Sequence, residues 1–147
     1  MKPVFLRLTM VGLFLLAVGA CVSRSPGSVH RAGGRIVGGS DWWVSSLNPL
    51  DAIEVAVRRQ NPNGTGGSTL NPMERIDLAT MLAAYTINGA YLMRQEDRLG
   101  SIEVGKRADL IVLDRNLFEA LPTEINEARV LLNLFDGEDV FSSAAVP

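Results

Sequence analysis

The apolar period of this chain changes at Gly100, and that change limits what it can fold into. Before it, from Asn48 to Met93, apolar residues recur at helical spacing: Leu50, Ile53 and Val57, then Met73, Ile76, Leu82 and Ala83. After it, short apolar runs alternate with turn residues, as strands do. Asn48-Pro49 and Asn71-Pro72 each open a helix, because Asn caps the first N–H groups and Pro suits the first turn. Asp51 adds a carboxylate at a positive helix end. Glu74, three residues after Asn71, completes a capping box. The spacing predicts helices over 49–59 and 72–93, the second interrupted at Thr86. Ile102, Val104 and Leu110–Leu113 read as strands around a Gly105-Lys106 turn, and Val130–Phe135 as another. Asp136-Gly137 tolerates positive φ and predicts a hairpin returning through Val140 and Phe141. Residues 114–127 are expected to be irregular, and 143–147 a loose tail.

Upstream, residues 29–34 read as a helix end with a glycine stop. Residues 35–39 (RIVGG) form an apolar run that fits a buried strand, with Ser40, Asp41, Trp42 and Trp43 at its C-terminal end. The glycine-rich stretch 61–68 lacks the Lys and following helix of a phosphate-binding loop, so it reads as a flexible connection. The order is strand, helices, then an all-β end: an α/β chain with no internal repeat.

Residues 1–20 read as a secretory signal rather than as fold. Lys2 and Arg7 precede the uncharged run Leu8–Ala20, which is shorter than the about 20 residues a membrane span needs. Val18-Gly19-Ala20-Cys21 is similar to a bacterial lipobox, which makes Cys21 the lipidation candidate. A plain signal cut elsewhere, or an uncleaved anchor, is the other reading. Residues 21–28 form a polar linker. Export to the periplasm and a membrane anchor through Cys21 are therefore expected.

Composition closes other routes. The chain has 147 residues, too few for a complete (β/α)8 barrel, which needs roughly 200 or more. Its single Cys excludes an intrachain disulfide, and its single His excludes a zinc site built mainly from imidazoles. The net charge of −2 becomes −4 once Lys2 and Arg7 leave with the signal, so nucleic acid is not an expected partner.

Three stretches carry a family resemblance. They are Ile36-Val37-Gly38-Gly39-Ser40-Asp41-Trp42, Ala84-Tyr85-Thr86-Ile87-Asn88-Gly89-Ala90, and the run from Gly100 through Ala108-Asp109-Leu110 to Asp114. In this order they resemble the C-terminal end of amidohydrolases, specifically the amidohydrolase family 3 branch, and Asp136-Gly137 is similar to that family's closing hairpin. The resemblance implies the last strand–helix unit of a metal-dependent hydrolase (β/α)8 barrel over 29–99. It also implies part of the C-terminal β-sandwich over 100–142, so that the fold is incomplete.

The activity implied is hydrolysis of non-peptide C–N bonds, usually amides, by a hydroxide on a divalent metal such as zinc. Asp41 matches the family's catalytic aspartate, which orients that hydroxide and shuttles its proton; read from the residues alone it is a cap or turn residue. Trp42 and Trp43 either line a substrate mouth or pack beneath the loop. Ser45 and Ser46 lack a nearby histidine base. His30 matches a helix-end position, so Asp41 is the one remaining candidate ligand, where a catalytic metal wants about three from the protein. The expected product is a truncated amidohydrolase-family protein that binds no metal and turns over nothing alone. The alternatives are one half of a split hydrolase, completed by a chain carrying the rest of the barrel, and a non-catalytic membrane-anchored lipoprotein with a binding or structural role.

Overall fold

The computed structural model describes residues 26–41, 43, 46–62 and 67–143. The order is α1 (Pro26–Arg31), α2 (Pro49–Arg58), a 3-10 turn (Pro72–Glu74), α3 (Leu78–Tyr85), α4 (Ile87–Leu92), then β1 (Leu110–Leu113), β2 (Val130–Phe135) and β3 (Glu138–Ser142). Helix α1 begins inside the stretch expected to be linker.

Helix α2 forms as its sequence predicts. The Asn48 side chain accepts the Leu50 N–H at 3.1 Å, Pro49 holds the first turn, and Arg59 ends the helix in the left-handed region. Its Leu50 and Ile53 face is buried.

The second helix starts later than expected, and no capping box forms. Asn71 is left-handed and makes no side-chain cap, so Pro72–Glu74 is a single 3-10 turn. Glu74 turns instead toward α1, where its carboxylate accepts the Ser28 N–H at 2.6 Å, the Ser28 hydroxyl, and Arg31 at 3.2 Å. Buried Ile76 donates its N–H to the Ala56 carbonyl at 3.1 Å, which keeps the chain out of the helix until Asp77 caps α3 through Thr80 at 2.8 Å. Thr86 breaks the helix as expected, its hydroxyl donating back to the Leu82 carbonyl at 2.8 Å.

The apolar pair Ile102 and Val104 is not a strand. Ile102 is 85% exposed, and the segment is folded into a turn by the Lys106 amine, which reaches the Ser101 hydroxyl at 2.6 Å. The sheet is three antiparallel strands in the order β1-β2-β3, with Leu110 opposite Leu134 and Val112 opposite Leu132. Asp136 (φ 54°) and Gly137 (φ 84°) make the hairpin turn, as the dipeptide predicts.

The core lies beside the sheet rather than on it. Leu50, Ile53, Ile76 and Met81 from the helical half meet Leu117, Ile125 and Ala128 from the irregular segment, and from the sheet only half-buried Leu113 packs against them. Between the halves lies Glu54, fully buried, paired with Arg58 one turn on and accepting the Asn126 N–H at 3.0 Å.

Asp114 joins the irregular segment to β2. It accepts the Arg129 N–H at 3.0 Å and the Arg115 guanidinium at 3.2 Å, and these bonds hold its carboxyl down to about 2, from an ordinary 3.8. A depressed carboxyl stabilises the fold above its unfolded-state value and loses that contribution as pH falls through the folded value. Melting temperatures measured from pH 5 to pH 2 are therefore expected to fall more steeply for the native chain than for Asp114→Asn. Parallel curves would refute the assignment.

Candidate functional site

The run 35–39 was expected to be a buried strand, and it pairs with no strand among the described residues. It keeps a strand's alternation: Gly34, Ile36, Gly38 and Ser40 are half-buried, whereas Arg35, Val37 and Gly39 are exposed. The inward residues are held by the α3–α4 junction. The Gly38 N–H donates to the Ala84 carbonyl at 3.0 Å, and the Asn88 amide donates to the Ile36 carbonyl at 2.9 Å. Gly38 lies so close to Tyr85 that a Cβ there would come within 2.4 Å of the ring. Arg35 stacks over the Tyr91 ring at 3.6 Å.

Asp41 ends this run, exposed and left-handed at φ 47°, a conformation Asp tolerates better than most residues. Trp43 is 82% exposed, so it does not pack beneath the loop. Ser46 accepts the Asn48 N–H at 3.1 Å, a turn-forming role rather than a nucleophilic one. His30 is exposed at the end of α1. Trp42, Ser45 and Cys21 lie outside the described residues.

Among the described residues, no three His, Cys, Asp or Glu side chains are grouped closely enough to hold a metal ion. The described residues do not fit a divalent-metal site by themselves.

Beside the run is a cleft of about 510 Å³ between residues 36–39, α2 and Tyr85. Its wall is mainly apolar, from Ile36, Val37, Val55, Ile76 and Met81, with Asp51 and Arg59 among its polar groups. These residues come from separate parts of the chain, so no local motif announces them. Asp51 stands out in the sequence only as a helix-end charge, and Ile36, Val37 and Ile76 as apolar positions of a strand and a helix.

A family model described as the amidohydrolase family matches residues 23–141. The chain belongs to the amidohydrolase family. Among curated amidohydrolase relatives, N-substituted formamide deformylase from Arthrobacter pascens is 36% identical over 110 residues, which is 75% of this chain and 20% of that protein. The putative amidohydrolase YtcJ of Bacillus subtilis is 26% identical over 73% of this chain and 20% of its own length. A 5'-deoxyadenosine deaminase from Methanobrevibacter smithii is 42% identical over 54% of this chain and 18% of its own. The crystal structure of an amidohydrolase from Thermotoga maritima matches with a TM-score of 0.59 and 26% identity, over 78% of this chain and 25% of that one. This amidohydrolase chain thus spans about a fifth of the length of the curated relatives it matches.

Proposed function

We propose that this chain forms the Asp41-bearing end of a hydrolase of non-peptide C–N bonds and does not turn over substrate by itself. The family match across residues 23–141 carries the reading. It is supported by relatives named as a deformylase of N-substituted formamides and as a deaminase. The run 34–40 then corresponds to the last strand of the family's barrel, and β1–β3 to part of its sandwich.

In this reading the Asp41 carboxylate accepts a proton from the attacking water and returns it to the leaving nitrogen. Its exposure at the end of the run leaves it free to meet substrate. The family's divalent metal would polarise the scissile group, but one carboxylate and an exposed His30 at a helix end do not hold such an ion. Its remaining ligands come from polypeptide outside residues 1–147.

The test is a graft of residues 29–142 into the Arthrobacter pascens deformylase in place of the matching stretch. Turnover of N-substituted formamides is expected in the graft, reduced about 10²-fold or more by Asp41→Asn, and none is expected from the chain alone. A folded, metal-loaded graft indifferent to Asp41→Asn removes the assignment, and turnover by the isolated chain with tightly bound zinc removes the proposed inactivity.

The same proposal places the protein in the periplasm, anchored through lipid on Cys21. Metabolic labelling with palmitate should mark the native chain and not Cys21→Ser; equal labelling of both would exclude Cys21.

A further inference from the structure

We infer that Asn88 is a positioning residue for Asp41: its side-chain amide holds the run that ends at Asp41 and so fixes where that carboxylate stands. The catalytic half of the inference rests on the hydrolase reading of Asp41 proposed above. The geometric half does not.

The Asn88 side-chain amide donates to the Ile36 carbonyl at 2.9 Å, across 52 residues of sequence. Asn88 stands in the first turn of α4, where an Asn side chain ordinarily bonds to backbone close by. Here the amide is turned to the run instead, from a half-buried position. Asn is also a poorer helix former than Leu or Ala, so α4 gains nothing from it. The residue serves its distant partner.

A second bond seats the same run. Thr86 breaks the helix between α3 and α4. In an unbroken helix the Ala84 carbonyl would accept the N–H of residue 88. At the break it accepts the Gly38 N–H at 3.0 Å. Gly38 lies against the Tyr85 ring, so the run approaches the junction as closely as a glycine allows. The side chain of Asn88 and the carbonyl of Ala84 therefore set both the distance and the register of the run.

Asp41 follows Gly38 by three residues and takes a left-handed φ of 47°. The chain turns there, and the carboxylate goes where the run delivers it. Proton transfer needs its partners within about 2.6–3.2 Å. A misplacement of about 1 Å costs about 10²-fold in rate. Asn88 acts through Asp41 rather than on substrate.

The first arm of the test uses the full chain, labelled with ¹⁵N. In the native chain the Asn88 side-chain amide is expected to exchange about tenfold or more slower than that of exposed Gln95, which needs no variant to fold. Asn88→Leu keeps the volume and favours the helix. Asn88→Asp keeps the shape and sets an acceptor against the Ile36 carbonyl. Both should speed exchange of the Gly38 amide about tenfold or more, with the Met81 and Ala90 amides unchanged. Both should also lower the order parameters of residues 39–41 below about 0.6. The second arm uses the deformylase graft. Asn88→Asp should lower kcat about tenfold or more, with KM and bound metal unchanged, and add no further loss to Asp41→Asn. Equal exchange of Asn88 and Gln95, unchanged order at residues 39–41 in both variants, or losses that multiply in the double variant overturn the proposal. A graft indifferent to Asp41→Asn counts against the hydrolase reading alone, and the NMR arm still decides whether Asn88 holds Asp41.

Discussion

Replacing Glu54 by alanine is expected to destabilise the fold by about 3–5 kcal/mol, because it breaks a buried ion pair on one side only. Glu54 is wholly buried, and its partner Arg58 has a side chain only 15% exposed. Alanine leaves that guanidinium confined without a counter-charge. It also strips the Asn126 N–H of its acceptor, so that two donors lose their partner together. Glu54→Gln should cost less, since an amide oxygen can still accept from Asn126. Urea unfolding of the three proteins measures this, with a lower midpoint and an unchanged slope expected for the alanine variant. A shift below about 1 kcal/mol would mean that Arg58 escapes to solvent and that the pair contributes no more than a surface one.

The second large effect is expected at Ile125→Ala, at about 2–5 kcal/mol. Ile125 is 2% exposed and packs in the cluster that joins the helical half to the irregular segment. Removing three carbons there opens a cavity in the cluster that holds Ile53, Ile76 and Leu117. Because Ile125 and Asn126 are neighbours, the double variant Glu54→Ala with Ile125→Ala should cost less than the sum of its parts. Additive losses would show that the contacts hold the segment independently.

Local rules served the sequence reading where the deciding interaction is itself local. Asn48-Pro49 opens α2, Thr86 breaks α3 from α4, and Asp136-Gly137 turns the hairpin, each through bonds to near neighbours. Expectations failed where a distant partner competed. The Asn71–Glu74 capping box lost its carboxylate to Ser28 and Arg31 in a helix more than forty residues upstream. Ile102 and Val104 have the composition of a strand, but no neighbour pairs with them, and the Ser101–Lys106 contact closes the turn instead. Residues 35–39 have the right period and lack a strand to pair with among the described residues. Burial of Glu54 inside an apolar face could not be read from periodicity, since its partner Asn126 is 72 residues away.

For the candidate site, family likeness pointed to Asp41, and composition limited what could surround it. The cleft was invisible because it is assembled from four separate stretches of chain.

The contact between Glu54 and Asn126 also bears on the order in which the protein acquires its structure during synthesis. The helices and the hairpin are local and can form within microseconds, whereas a contact across 72 residues must first close a large loop. Leu117, Ile125 and Ala128 supply the far side of the core. Until residues 117–128 are available, the helices are left with Leu50, Ile53 and Met81 uncovered. Across that interval the nascent chain presents a sticky helical surface, and chaperone capture should be concentrated in the time before residue 128 emerges.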